Sequence, residues 1–330
     1  MVIHQSNRLS CFFRWSALVG MLLSTPMQTA CSAAPDGPER RAPPTTAIVI
    51  APDGKQLLLA SQAGIELRTW PALEPAGQWP TELVHVHDLA FSPNGQQLLV
   101  AGGSPAETGR VEIRSWPDGQ LLGEITSHAD LVTRARWSPD GANWATAGAD
   151  ALCQVIAADT MKVTAGYKGH SRSALAICFL PNGDAIVSAG VDQTLQVWDR
   201  AAGTLQKTFT NHAGCVNDLA LKPWQLPPPA LPILASASAD RTVRLWQPTI
   251  GRMVRFVKLP SVPHALCWSL NAQRLLVGCD DGCIRVLDGE SLEIIKTIEL
   301  ADSPVIAVAL DPTGRFVIAA RAGQPIAIQF

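Results

Sequence analysis

The chain has 330 residues, with 26 Lys and Arg against 28 Asp and Glu, a formal net charge of −2 and a pI near 6.4. At 47% hydrophobic and 16% charged residues, with a mean hydropathy of +0.13, it is too apolar for a disordered chain. No run of Lys or Arg offers a footprint for phosphate backbones or anionic lipid, so no nucleic-acid partner is expected.

The N-terminus differs from the rest. Arg8 and Arg14 precede an apolar stretch, Trp15 to Leu23, and small and polar residues follow through Ala34, the order of a secretory signal. The stretch falls short of the roughly 20 apolar residues of a spanning helix, so no mature transmembrane anchor is expected. The run Gln28-Thr29-Ala30-Cys31-Ser32 resembles a bacterial lipoprotein processing site, with Cys31 as the lipidated residue, although Gln28 stands where that family usually has Leu. Lipoprotein, secreted protein and cytoplasmic protein with a misassigned start all stay open. The expectation is an exported protein, periplasmic or lipid-anchored, with a cytoplasmic location as the alternative. Residues 1–31 are assigned to the signal and 32–44, SAAPDGPERRAPP, to a Pro-rich tether, with folding expected from Thr45.

From there an apolar residue followed by x-Pro-(Asp/Asn/Thr)-Gly keeps returning: IAPDG at Pro52, FSPNG at Pro93, WSPDG at Pro139, FLPNG at Pro181 and LDPTG at Pro312, with degenerate copies at Pro223 and Leu270. The anchors are 41, 46, 42, 42, 47 and 42 residues apart. The two long intervals carry insertions, Ser104 to Gly109 and Gln225 to Pro232. A period near 42 matches one four-stranded propeller blade per repeat. The predicted fold is therefore all-β, a seven-bladed β-propeller of four-stranded antiparallel blades over 45–330. The blades fall at about 45–80, 81–126, 127–168, 169–210, 211–258, 259–299 and 300–330.

Within the fourth unit ALAICF, AIVSAG and TLQVWD read as three strands joined by PNGD and VDQ turns, and the more polar GTLQKTFT as an outer strand. A blade this small needs neighbours on both faces to bury its apolar rows.

These residues resemble the WD-repeat family. Gly169-His170 precedes the first strand of the fourth unit and Trp198-Asp199 ends the third. The resemblance implies a buried hydrogen-bonded set of four, here His170, Ser188, Asp192 and Trp198, repeated as His212, Ser236, Asp240 and Trp246. The third unit keeps His128, Thr146 and Asp150 with Ile156 in the Trp position; the sixth keeps Asp281 with Leu287 there. The first, second and seventh lack the set, although the first two share IELRTWP and VEIRSWP. The family closes its ring with an N-terminal segment, which here would be Gly37 to Pro44. The seventh blade is otherwise left three-stranded.

The resemblance implies a non-catalytic scaffold, a monomeric disc binding protein partners, with the membrane reached only through a lipid anchor. The implied binding face is formed by the loops before each first strand and the turns between second and third strands. Its candidates are Asp130, Arg172, Asn217, His264 and Asp280, with the insertion Ser104 to Gly109. Two alternatives are a propeller hydrolase or lyase with a channel metal, and a structural envelope spacer. Ser, His and Asp also suggest a catalytic triad, but a set that recurs blade after blade reads as structural.

No catalytic residue, metal site or cofactor is expected. The cysteines inside the propeller form no Cys-x-x-Cys pair and read as small core residues, although Cys279 and Cys283 flank a turn and could bridge it in an exported protein. His85, His87 and His264 are the histidines placed near the channel, where few carboxylates are expected.

Overall fold

The computed structural model describes residues 45–330 except 63, 224–230, 301–302, 315, 321–324 and 329–330. The expected leader, tether, lipidation at Cys31 and closing segment lie outside the described residues.

The strands follow the repeat. The first blade holds β1 Ala47–Ile50, β2 Gln56–Ser61, β3 Gly64–Thr69 and β4 Pro75–Trp79, and the second β5 His85–Phe91, β6 Gln97–Ser104, β7 Thr108–Ser115 and β8 Leu121–His128. The third has β9 Val132–Trp137, β10 Asn143–Gly148, β11 Cys153–Ala157 and β12 Val163–Tyr167, and the fourth β13 Ala174–Phe179, β14 Ala185–Gly190, β15 Leu195–Asp199 and β16 Leu205–Phe209. The fifth has β17 Val216–Leu221, β18 Leu234–Ser238, β19 Thr242–Gln247 and β20 Arg252–Lys258, and the sixth β21 Pro263–Trp268, β22 Arg274–Cys279, β23 Cys283–Asp288 and β24 Ile294–Glu299. The last unit has β25 Val305–Leu310, β26 Phe316–Ala320 and β27 Ile326–Ile328.

The expectation of seven four-stranded blades is corrected. Six blades, not seven, have four paired strands, and the last repeat unit forms a three-stranded sheet in the order β25-β26-β27. Repeat spacing counts turn motifs; a full blade also needs an outer strand, and among the described residues none pairs with β27. First strands succeed one another round a ring, with β1 beside both β5 and β25.

Turn chemistry makes each hairpin. In the second blade Gly95 adopts φ 70°, a left-handed conformation that costs a glycine little, and Asn94 Oδ1 accepts from Gln96 N at 3.0 Å. The degenerate sixth copy has no glycine there, and Ala272 takes φ 59° instead. Burial follows strand order. β14 is buried at every position, whereas β16 is mostly exposed.

Apolar cores lie between blades. One joins Tyr167, Phe179, Ile186 and Trp198 of the third and fourth blades; the next joins Val187, Leu195, Phe209 and Trp246 of the fourth and fifth. Trp198 stacks on Tyr167 at 5.3 Å, and Trp246 packs on Phe209 at 4.9 Å. Each Trp thus rests on the aromatic that ends the preceding blade's outer strand. Full burial of such a side chain contributes about 2–3 kcal/mol.

Candidate interaction face and channel

Three blades bring the polar sets together. In the fourth, His170 Nδ1 bonds Asp192 Oδ2 at 2.8 Å and Nε2 bonds Ser188 Oγ at 2.7 Å. In the fifth, His212 makes the same bonds to Asp240 and Ser236 at 2.8 Å each, and Trp246 Nε1 donates to Ser236 Oγ at 2.8 Å. In the third, His128 bonds Asp150 at 2.9 Å and Thr146 at 2.8 Å. An ionised carboxylate only accepts, so Nδ1 carries the ring proton in each set. The fourth blade differs from the fifth in one bond, because Trp198 Nε1 has no partner among the described residues.

Each Asp also receives the backbone N–H after the His, from Ala129, Ser171 and Ala213 at 3.0–3.1 Å. Burial alone would raise these carboxyls. For Asp150 and Asp192 the His hydrogen bond and charge outweigh it; for Asp240 the Thr242 hydroxyl and His212 do, and all three lie below the usual carboxylate range. Burial pushes the His212 pKa down, against Asp240. Ser188, Ser236 and Thr146 are 0% exposed, so no substrate carbonyl can reach these hydroxyls. The sets tie a loop to a turn.

Polar sets missed by sequence reading occupy the other blades. Register puts Arg68 and Arg114 opposite Leu57 and Leu98, the place Trp198 holds opposite Ile186. They pair with Glu66 and Glu112 two residues earlier, at 2.8 and 2.7 Å. Buried Glu112 also accepts from Thr81 at 2.7 Å. In the sixth blade Arg285 grips Asp281 through both nitrogens at 3.0 and 2.7 Å. The shared IELRTWP and VEIRSWP were the visible signal.

At the head of most first strands one residue is skipped by the pairing register. The skipped residues are His87, Thr133, Leu175, Asn217, His264 and Ile306. Such a bulge re-aims a side chain. Thr133 Oγ1 donates to Ala174 O of the next blade at 2.7 Å, and Asn217 Nδ2 to Pro263 O at 2.8 Å. Asn217 is therefore engaged in joining blades. His264 Nε2 bonds Asp280 Oδ1 at 3.0 Å, Asp130 accepts from Ala106 N at 2.8 Å and so holds the 104–109 insertion, and Arg172 is exposed. These candidates lie on loops before first strands, on their opening residues, or on the following turns.

The channel holds more charge than the sequence reading expected. Thr46, Asp88, Arg134, Arg136 and Asp218 line a cavity of about 100 Å³ among the first strands. Arg134 donates to Asp218 at 3.0 Å and lies 3.5 Å from Asp88, which Arg136 also pairs with. Asp88 Oδ2 accepts from Ala135 N and Asp218 Oδ2 from Leu266 N, each at 2.9 Å and each in the next blade. Burial alone would lower the Arg134 pKa, but the carboxylates of Asp218 and Asp88 raise it, so the guanidinium stays charged. Asp88 and Asp218 stand three residues before Phe91 and Leu221, an offset that aligning the repeats could have found.

Among the described residues no three His, Cys, Asp or Glu side chains converge as a metal site. His85 and His87 sit 6.3 Å apart by ring centroid, and His264 is turned to Asp280. Cys279 and Cys283 are both buried with free thiols, so the suggested bridge is absent. Burial pushes the Cys153, Cys178 and Cys267 thiols up to about 12.

The WD40 profile, described as WD domain, G-beta repeat, matches residues 119–156, 161–199, 203–247 and 260–288, which hold the three inner strands of the third to sixth blades. The chain carries WD40 repeats over these residues. Among similar WD-repeat and related proteins, COMPASS component SWD3 of Saccharomyces cerevisiae is 26% identical over 64% of this chain and 66% of its own length. Eukaryotic translation initiation factor 3 subunit I of Neurospora crassa is 29% identical over 46% of this chain and 45% of its own. Anaphase-promoting complex subunit cdc20 of Dictyostelium discoideum is 23% identical over 73% of this chain and 48% of its own. The match thus spans less than two thirds of each relative.

These WD-repeat relatives correct the expected location. They are eukaryotic and named as parts of complexes, which overturns the reading of a bacterial exported or lipoprotein-like protein. The physical reason is the low information of the N-terminal pattern: two Arg before a short apolar stretch is compatible with many sequences.

Proposed function

We propose that this WD-repeat chain is a non-catalytic scaffold that binds protein partners on the face built from the loops before the first strands and the turns between second and third strands. The observation that carries the reading is the closure of the polar sets. Every Ser, Thr and His that could serve as nucleophile or base in them is buried and hydrogen-bonded within its own set. What the ring offers instead is a rigid surface with Arg172, the His264–Asp280 pair and the Asp130-held insertion at its loops. The relatives are named as a component or subunit of an assembly, which agrees with a binding role.

The test is affinity capture from the native cell with the wild type and with Arg172→Glu combined with Asp280→Arg, both on exposed positions. Proteins retained by the wild type and lost by the variant, at unchanged melting temperature, support this face. Identical capture by both would move the binding surface elsewhere.

A further inference from the structure

We propose that the outer edge of the fifth blade is a docking strand for an extended acidic segment of another protein. The inference rests on the scaffold reading and adds a second surface, at the rim rather than on the loop face.

β20 is the last strand of its sheet, in the order β17-β18-β19-β20, so its outer backbone edge has no partner strand among the described residues. Its sequence, RMVRFVK, places Arg252, Arg255 and Lys258 on an exposed strand. Arg241 and Arg244 add to the same hairpin, and no Asp or Glu stands between Asp240 and Asp280. Each of the other five outer strands of the complete blades holds at most one Lys or Arg. This concentration is local in a chain of net charge −2. Arg252, Arg255 and Lys258 form no ion pair among the described residues, whereas Arg244 is held by Asp240 at 3.6 Å.

A single charge is enough to deter two copies from pairing at an edge. Here the cations recur every third residue, with two apolar side chains between each pair, and some of those apolar side chains remain in water: Phe256 is 54% exposed and Val254 39%. Arg244 lies over the Phe256 ring at 5.2 Å, which fixes the ring at the rim. A free ladder, exposed apolar side chains and unpaired cations together match an incoming strand that carries acidic residues at the same three-residue spacing among apolar ones. Backbone pairing would supply affinity and the side chains specificity. Nucleic acid fits less well. Seven residues span about 23 Å, and a phosphodiester chain has no amide ladder to offer the edge.

The test uses the full chain and fluorescence anisotropy with a short labelled peptide of Val carrying Glu at every third residue. A Lys/Val peptide and a thymidine oligonucleotide serve as comparisons. The Glu/Val peptide is expected to bind and to weaken as salt rises. Arg255→Glu should weaken it about tenfold, Arg252→Glu with Arg255→Glu and Lys258→Glu should abolish binding, and Arg172→Glu should leave it unchanged. Amide exchange across Arg252–Lys258 should slow in the complex. Should the triple variant fail to fold, Arg255→Gln at the same exposed position should still weaken binding about threefold. No binding, equal binding of the Lys/Val peptide or the oligonucleotide, or unchanged exchange in β20 would overturn the proposal. Those results leave the loop face untouched, because the Arg172 and Asp280 variants report on it separately.

Discussion

Arg134 of the third blade donates to Asp218 of the fifth at 3.0 Å, passing over the intervening blade. Asp218 in turn accepts from Leu219 N and Leu266 N, so removing either side chain strands different groups. Arg134→Met leaves Asp218 with two backbone donors and should cost about 2–3 kcal/mol. Asp218→Ala leaves the Arg134 guanidinium with only the longer contact to Asp88 and two amides unmet, and should cost about 3–5 kcal/mol. Urea unfolding would give the order, and a loss under about 0.5 kcal/mol for Arg134→Met would refute the brace.

The two complete polar sets are not equal. Ser236 serves both His212 and Trp246, whereas Ser188 serves His170 and makes no bond to Trp198. Ser236→Ala should therefore destabilise by about 2–3 kcal/mol and Ser188→Ala by about 1–2 kcal/mol. Equal losses would mean that the Trp246 bond contributes nothing.

Stability should fall with acid in two stages. His212 and His87 have folded pKa values below 6.5, both chiefly through burial, so the unfolded chain takes up their protons first. Stability then declines as pH falls below 6.5, by at most about 1.4 kcal/mol per pH unit for each site. Asp150, Asp192 and Asp240 have folded values below 3.8; their contribution is whole above 3.8 and is lost as pH drops through the folded values. Melting temperature measured from pH 7.5 to pH 4.5 tests the first stage. A flat profile there would contradict the neutral, buried imidazoles.

Thiol chemistry offers a separate check. With Cys153, Cys178 and Cys267 pushed up to about 12 and Cys279 to about 11, thiolate is scarce at pH 8. These four should react with a disulfide reagent only on unfolding. Reduction should not change the spacing of any peptide containing Cys279 and Cys283, since both thiols are free. Rapid labelling of Cys153 in the native protein would show that the third blade opens.

Local chemistry made much of the ring readable. The Pro-Asn-Gly and Pro-Asp-Gly turns gave the blade period, and His170, Ser188 and Asp192 meet because their offsets fix where strand and turn come together. Pairings between blades were not readable in the same way. Arg134 and Asp218 are 84 residues apart, and their contact depends on ring curvature rather than on any local pattern. The Arg–Glu pairs of the first two blades were visible in the sequence but not interpretable until register placed Arg68 and Arg114 in the Trp position. The β20 cations escaped notice because apolar residues separate them, so they form no run. Among the described residues no outer strand pairs with the last sheet, and pairing is something spacing does not report.

Several links between neighbouring blades run forward along the chain, from an earlier side chain to a later backbone. Thr46 reaches Val86, Asp88 reaches Ala135, Thr133 reaches Ala174, and Asp218 reaches Leu266. A ribosome that has released β5 but not β9 therefore holds an Asp88 carboxylate whose eventual donors are still unmade, and water must solvate it until they emerge. Each newly finished blade caps the polar groups of the one before it. Trp70 waits longest, since the Asp311 carboxylate that its Nε1 donates to at 2.7 Å is made 241 residues later.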